Sequence, residues 1–275
     1  MQRLLYAFII VCALLTLTVL CLAAAKAPAG VHPIVDINAD LLFGGAIDGK
    51  WVDENKMMPR IKGGETYRLY SFTRFLGTGV GKKAEMNELS GNSPIVEVKP
   101  AGNLRIDDTC TIGICGEWNA LPRVPKEGDR RQKCYETAVH DMLVKKGLPN
   151  ARVHVTRVVQ VDLDGDGKDE TLISATTPRR NYPDPQPRKN DYSLILLQRT
   201  VKGKMESILI DGDFRLRDEA FAAPYRYTID AVLDVNGDGE MDVVVGWSYY
   251  EGRGRSIFHI NGKKVEQVLE AGVGA

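Results

Sequence analysis

Residues 161–173, VDLDGDGKDETLI, and residues 232–247, VLDVNGDGEMDVVVGW, decide how this chain is read. Each places acidic side chains at alternate positions of a nine-residue stretch, 162–170 and 234–242, on the pattern D-x-[DN]-G-D-G-x-x-[DE]. A hard cation such as Ca²⁺ takes about six to eight oxygen ligands at roughly 2.3–2.6 Å, so its site needs carboxylates and carbonyls gathered over a short span. In the first stretch these are the side chains of Asp162, Asp164 and Asp166, the backbone carbonyl of Lys168 and the closing acid Glu170, with Asp169 as a further candidate. In the second they are Asp234, Asn236, Asp238, the carbonyl of Glu240, and Asp242. Gly167 and Gly239 allow the positive φ that turns the chain around an ion, while Gly165 and Gly237 remove bulk between ligands.

An EF-hand would need a carboxylate at position 12 and helical flanks. Position 12 is Ile173 in one stretch and Val245 in the other, and the flanks are β-branched runs. Both stretches therefore read as strand-loop-strand bends holding two Ca²⁺ ions. Clustered carboxylates repel one another, so calcium is expected to staple the fold, at the affinity of about 10⁻⁴–10⁻³ M common to extracellular modules.

Working outward, the flanks repeat as well. VVQV (158–161) leads into the first loop and TLISA (171–175) out of it; IDAVL (229–233) and VVVGW (243–247) do the same for the second. Downstream, SLILL (193–197), Gly203-Lys204 and ESIL (206–209) are echoed by SIFHI (256–260), Gly262-Lys263 and EQVL (266–269). Each copy reads as an antiparallel four-stranded meander with one apolar face it cannot bury alone. The meanders either join degenerate blades from the N-terminal region or pack on each other and on a helix; the second arrangement is preferred. The expected fold is mainly β with one or two helices: propeller-blade-like meanders beside an N-terminal β-rich region and one amphipathic helix.

The two quoted stretches resemble the FG-GAP/VCBS-type calcium repeats of integrin α-subunit propellers and of bacterial exported proteins, a likeness covering about residues 153–269. It implies calcium ligation by the matching Asp, Asn and terminal acids, and a binding, adhesion or structural role. Only two copies are present and a plain Phe-Gly…Gly-Ala-Pro signature is missing, so the likeness does not imply a full ring.

The remainder divides into residues 1–25, 26–126, 127–149 and 150–275. Arg3, an apolar run over residues 4–22 and an alanine cluster at 23–25 read as a secretory signal peptide, with an uncleaved membrane anchor as the rival. A secreted or periplasmic location follows. Cleavage removes Arg3 and no acid, leaving a formal charge of about minus one and no basic field for nucleic acid or anionic lipid. The partner is then a protein or a carbohydrate, and a membrane is met only through an uncleaved N-terminal segment.

Residues 65–72 (ETYRLYSF) and 94–100 (PIVEVKP) alternate like half-buried strands. In residues 128–146 the period changes, because Tyr135, Ala138, Val139, Met142 and Leu143 share a helical face that Gly147 and Pro149 terminate. Cys110 and Cys115, five apart, are a candidate disulfide across a hairpin-like loop; Cys134 reads as a small buried hydrophobe. The Pro-rich residues 178–189 must be exposed, with Arg179, Arg180, Tyr182, Arg188 and Lys189 available to a partner.

No nucleophile elbow, zincin helix or phosphate loop occurs, and His32, His140, His154 and His259 lie on unrelated segments. Trp247, Tyr249 and Tyr250, with Arg253 in the following EGRGR, form a candidate carbohydrate or peptide platform. The opposing hypothesis is a calcium-dependent secreted hydrolase using acids of the N-terminal region.

Overall fold

The computed structural model describes residues 27–87, 93–106, 109–179 and 182–274; the expected signal peptide and Arg180 lie outside the described residues. Within them, eighteen strands form three antiparallel sheets.

The first sheet comprises β1 (Val31–Asp36), β2 (Leu41–Ile47), β3 (Lys50–Asp53), β4 (Thr66–Tyr70), β5 (Phe75–Gly81), β6 (Glu85–Asn87), β7 (Ser93–Ile95), β8 (Val98–Pro100) and β9 (Ile112–Ile114). Its order is β6-β7-β2-β1-β9-β4-β5-β8, with β3 paired to β2. The segment 94–100, expected as one strand, is split: β7 pairs with β2 and β6, while β8, six positions further along the order, pairs with β5. Two residues separate β7 from β8, so the sheet has to curl into a half-barrel. Alternation sorts its side chains. Val35, Leu42, Tyr67 and Leu69 join Met57, Ile61 and Val96 in an inner core, whereas Ile34, Leu41, Phe43, Tyr70, Ile112 and Ile114 face the other two sheets.

A short helix, α1 (Glu54–Met57), starts at Asp53, whose side chain accepts from the Lys56 N–H. The longer α2 (Lys133–Lys145) buries Tyr135, Ala138, Val139, Met142 and Leu143, the five residues of the expected face.

The second sheet runs β10 (Lys126–Glu127), β11 (Val155–Val161), β12 (Glu170–Thr176), β13 (Tyr192–Val201) and β14 (Lys204–Phe214); the third runs β15 (Arg226–Leu233), β16 (Asp242–Tyr249), β17 (Gly252–Asn261) and β18 (Lys264–Gly274). Both contain the four-stranded meander, and the first gains β10 as an extra edge. The second sheet is two-faced: Val159, Val161, Leu172, Ile195 and Leu197 enter the core shared by all three sheets, while Val158, Ile173, Ala175, Leu194 and Leu196 pack with α2. In the third sheet Val243, Val244 and Val245 are all fully buried, so both faces of β16 are covered, which explains its unbroken apolar run. The two meanders thus share a core, but α2 covers the first alone and the half-barrel completes the rest.

The cysteine expectations fail. Residues 111–115 lie extended along β1, with the Thr111 carbonyl accepting from Ile37 and the Cys115 N–H donating to Pro33. Five extended residues span about 16 Å, far beyond the roughly 7 Å Cα separation a disulfide tolerates. Cys110 faces the shared core, Cys115 packs on the inner core of the half-barrel, and no disulfide joins them. Cys134 is exposed, because it precedes Tyr135 and lies about 100° around α2 from the buried face.

Candidate metal centre

Both acidic stretches close the turn between the first two meander strands, β11–β12 and β15–β16. Their internal wiring is the same. Asp162 accepts from Gly165 N (2.7 Å) and Gly167 N (3.0 Å); Asp234 accepts from Gly237 N (2.7 Å) and Gly239 N (3.0 Å). The next ligand positions each cap the amide two residues on, Asp164 to Asp166 and Asn236 to Asp238, then Asp166 to Lys168 and Asp238 to Glu240. The closing acids reach back, Glu170 to the Leu163 N–H (2.9 Å) and Asp242 to the Val235 N–H (3.1 Å). Gly165 and Gly237 both have positive φ, as the bend requires.

The donor set fits a hard divalent cation. Oxygens sharing one Ca²⁺ at about 2.4 Å stand no more than about 4.8 Å apart. One carboxylate oxygen from each of Asp162, Asp164 and Asp166 satisfies this, all three lying within 4.8 Å of one another. The second loop offers two Asp carboxylates and the Asn236 amide oxygen, and among the described residues only the first loop gathers three acids this closely. Asp169 turns away to pair with Lys126 (3.2 Å), and Glu170 is likewise outside the gathered trio.

A basic side chain from the third meander strand meets the closing acid in each case. β12 pairs with β13 so that Arg199 stands beside Glu170, and β16 pairs with β17 so that His259 stands beside Asp242. Arg199, 9% exposed, binds Asp164 and lies 3.5 Å from Glu170, and it donates to the Gly262 carbonyl (2.8 Å). His259 Nδ1 lies 2.8 Å from Asp242 and Nε2 lies 3.6 Å from Glu240. Burial raises Glu170 and, with Asp238 adding repulsion, pushes Asp234 up to about 6. Burial also raises Asp242, opposed by the adjacent imidazole, and the hydrogen bond with Asp242 lifts His259 to about 9. Burial thus disfavours the charged form of these acids, a penalty that a bound cation would relieve.

Residues 118–123 of the N-terminal region bridge the two loops, and the motif gives no sign of them. Arg123 donates to the carbonyls of Asp162 (2.5 Å) and Leu163 (3.0 Å) in one loop and Gly239 (2.7 Å) in the other. Trp118 Nε1 donates to the Asp234 carbonyl (2.8 Å), its ring crowds Gly237, and Met241 N donates to the Leu163 carbonyl (2.8 Å).

The candidate platform is partly assembled. Trp247 stacks near Tyr249 (6.3 Å), Tyr249 meets Tyr250 edge-on, and Tyr225 joins at 5.5 Å from Tyr249. Gly254 and Gly272, and likewise Gly252 and Gly274, are cross-strand partners over which Trp247 and Tyr249 lie. Arg253 pairs with Ser248 and so belongs to the opposite face of the sheet. His154 binds the Thr176 carbonyl (3.1 Å), and His32 binds the Cys115 carbonyl (2.9 Å) and packs edge-on against Trp118.

Compared with family models, curated proteins and solved structures, the chain matches none. Among the described residues no helix is long and apolar enough to cross a membrane.

Proposed function

We propose that this chain is an exported calcium-binding protein of FG-GAP/VCBS type, in which two Ca²⁺ ions brace the first turn of each meander and the stiffened sheets serve a binding, adhesive or structural role. One observation carries the reading: the three carboxylates of Asp162, Asp164 and Asp166 stand within one ion's reach, in a bend whose wiring the second loop repeats. Asp162, Asp164, Asp166 and Glu170 would hold one ion, and Asp234, Asn236, Asp238 and Asp242 the other, with the Lys168 and Glu240 carbonyls completing the shells. The protein or carbohydrate partner would meet the aromatic face of Trp247, Tyr249 and Tyr250, joined by Tyr225.

Of the N-terminal acids open to the opposing hydrolase reading, Asp36 is engaged by Arg255, Asp53 by Lys56 and Glu97 by Lys82. Calorimetric titration of metal-stripped protein with Ca²⁺ tests the reading. Two binding events are expected, one lost in Asp162→Ala and the other in Asp234→Ala. Absence of heat and an unchanged melting temperature at millimolar Ca²⁺ would refute it.

A further inference from the structure

The largest cleft described lies away from the acidic side chains of the two loops, on the outer face of the half-barrel, with a volume of about 940 Å³. That is at the upper end of the roughly 300–1,000 Å³ typical of small-molecule sites. Strand alternation builds its floor: His32 on β1, Thr66 and Arg68 on β4 and Thr78 on β5 share the outer face, with Arg68 directly opposite Thr78. Pro28 and Ala29 form one wall and Trp118 with Gly237 another, while Glu117 stands exposed within it.

Arg68 makes this cleft chemically specific. Its guanidinium stacks on Phe75, 4.5 Å from the ring centroid, and its Nε donates to Tyr70 Oη (2.9 Å). Among the described residues nothing accepts from its two terminal nitrogens, and no carboxylate pairs with it. A half-buried guanidinium, fixed by stacking and presenting its planar fork to a cleft beside two threonine hydroxyls, is arranged to receive a planar or tetrahedral oxyanion. By contrast, Arg179, Arg199, Arg215 and Arg255 are each closed by acids, and Arg123 by backbone carbonyls.

We propose that this cleft binds a small organic molecule through its carboxylate or phosphate group, with Arg68 as the anion contact and Thr66 and Thr78 as flanking hydrogen-bonding groups. Arg68 itself touches neither acidic loop, although the Trp118 and Gly237 wall adjoins the second one.

The test follows the Trp118 indole N–H and the Arg68 Nε–H of ¹⁵N-labelled protein by NMR, the indole signal being assigned with Trp118→Phe. Galacturonate against galactose probes the carboxylate source, and glucose 6-phosphate against glucose the phosphate source. At least one acid should shift both signals saturably while its neutral counterpart does not. Arg68→Met, which keeps an apolar stem on Phe75, should weaken that binding about 10- to 100-fold, the loss of charge-assisted hydrogen bonds. Glu117→Gln, an exposed change that leaves the fold intact, should tighten it about two- to fivefold by removing a like charge. Silence from both acids, equal binding of acid and neutral sugar, or affinity untouched by both substitutions would overturn the proposal.

Discussion

Replacing Arg199 by Met should destabilise the metal-free protein and, at the same time, tighten its hold on calcium. The Arg199 side chain is 9% exposed and lies between Asp164 and Glu170, two proposed ligands that are 31% and 7% exposed. Breaking a buried ion pair costs about 3–5 kcal/mol, and solvent at Asp164 draws the figure to its low end, about 3 kcal/mol. About 1 kcal/mol of that belongs to the hydrogen bond with the Gly262 carbonyl, which calcium cannot replace. With Ca²⁺ bound, the ion supplies the missing positive charge, and the loss should shrink to about 1 kcal/mol. The thermodynamic cycle then requires Ca²⁺ to bind the variant more tightly by about 2 kcal/mol, or roughly thirtyfold. Urea denaturation in chelator and in saturating calcium gives two sides of the cycle, and calorimetry gives the third. Equal destabilisation in both conditions, within about 0.5 kcal/mol, would show that Arg199 and the ion do not share the same carboxylates.

Each proposed ion should add about 2.7 kcal/mol to unfolding at a free concentration a hundredfold above its dissociation constant, and Asp162→Ala or Asp234→Ala should each remove one such increment in thermal melts. Gly165→Ala and Gly237→Ala alter the same loop position at similar positive φ, yet a Cβ at 165 would meet the end of Arg123 at 3.3 Å and one at 237 would meet Pro28 and Trp118 at 2.7 and 2.9 Å. The first should cost about 1 kcal/mol from backbone strain and the second about 1–3 kcal/mol more, measured by urea denaturation. Burial pushes the Cys115 thiol up to about 11, so at pH 8 only about one molecule in a thousand carries its thiolate. Iodoacetamide should therefore modify the exposed Cys134 first and Cys115 only as pH rises toward 11; peptide mapping showing equal rates at pH 8 would contradict this.

The parts legible in the sequence are those written in local periods. The three- and four-residue spacing of α2 is imposed by one helix face lying against one sheet, and it can be read without knowing that sheet. The splitting of residues 94–100 depends on the curl of a nine-stranded sheet, which no seven-residue window contains. Cys110 and Cys115 misled because close spacing suggested a hairpin, whereas the chain runs straight as the central strand of that sheet. The loop ligands could be listed from their spacing. Arg123, Trp118, Arg199 and His259 could not, because each approaches from another strand or segment and belongs to no motif.

Arg123 gives the paired bends a dependence that duplication alone would not create. A stretch copied end to end normally carries its own supports, so further copies can be appended. Here one guanidinium from upstream of both copies serves the two at once, and a third copy would arrive without an equivalent brace. Both bends are tied to the segment that precedes them, and excising the C-terminal half would separate them from the side chain that joins them.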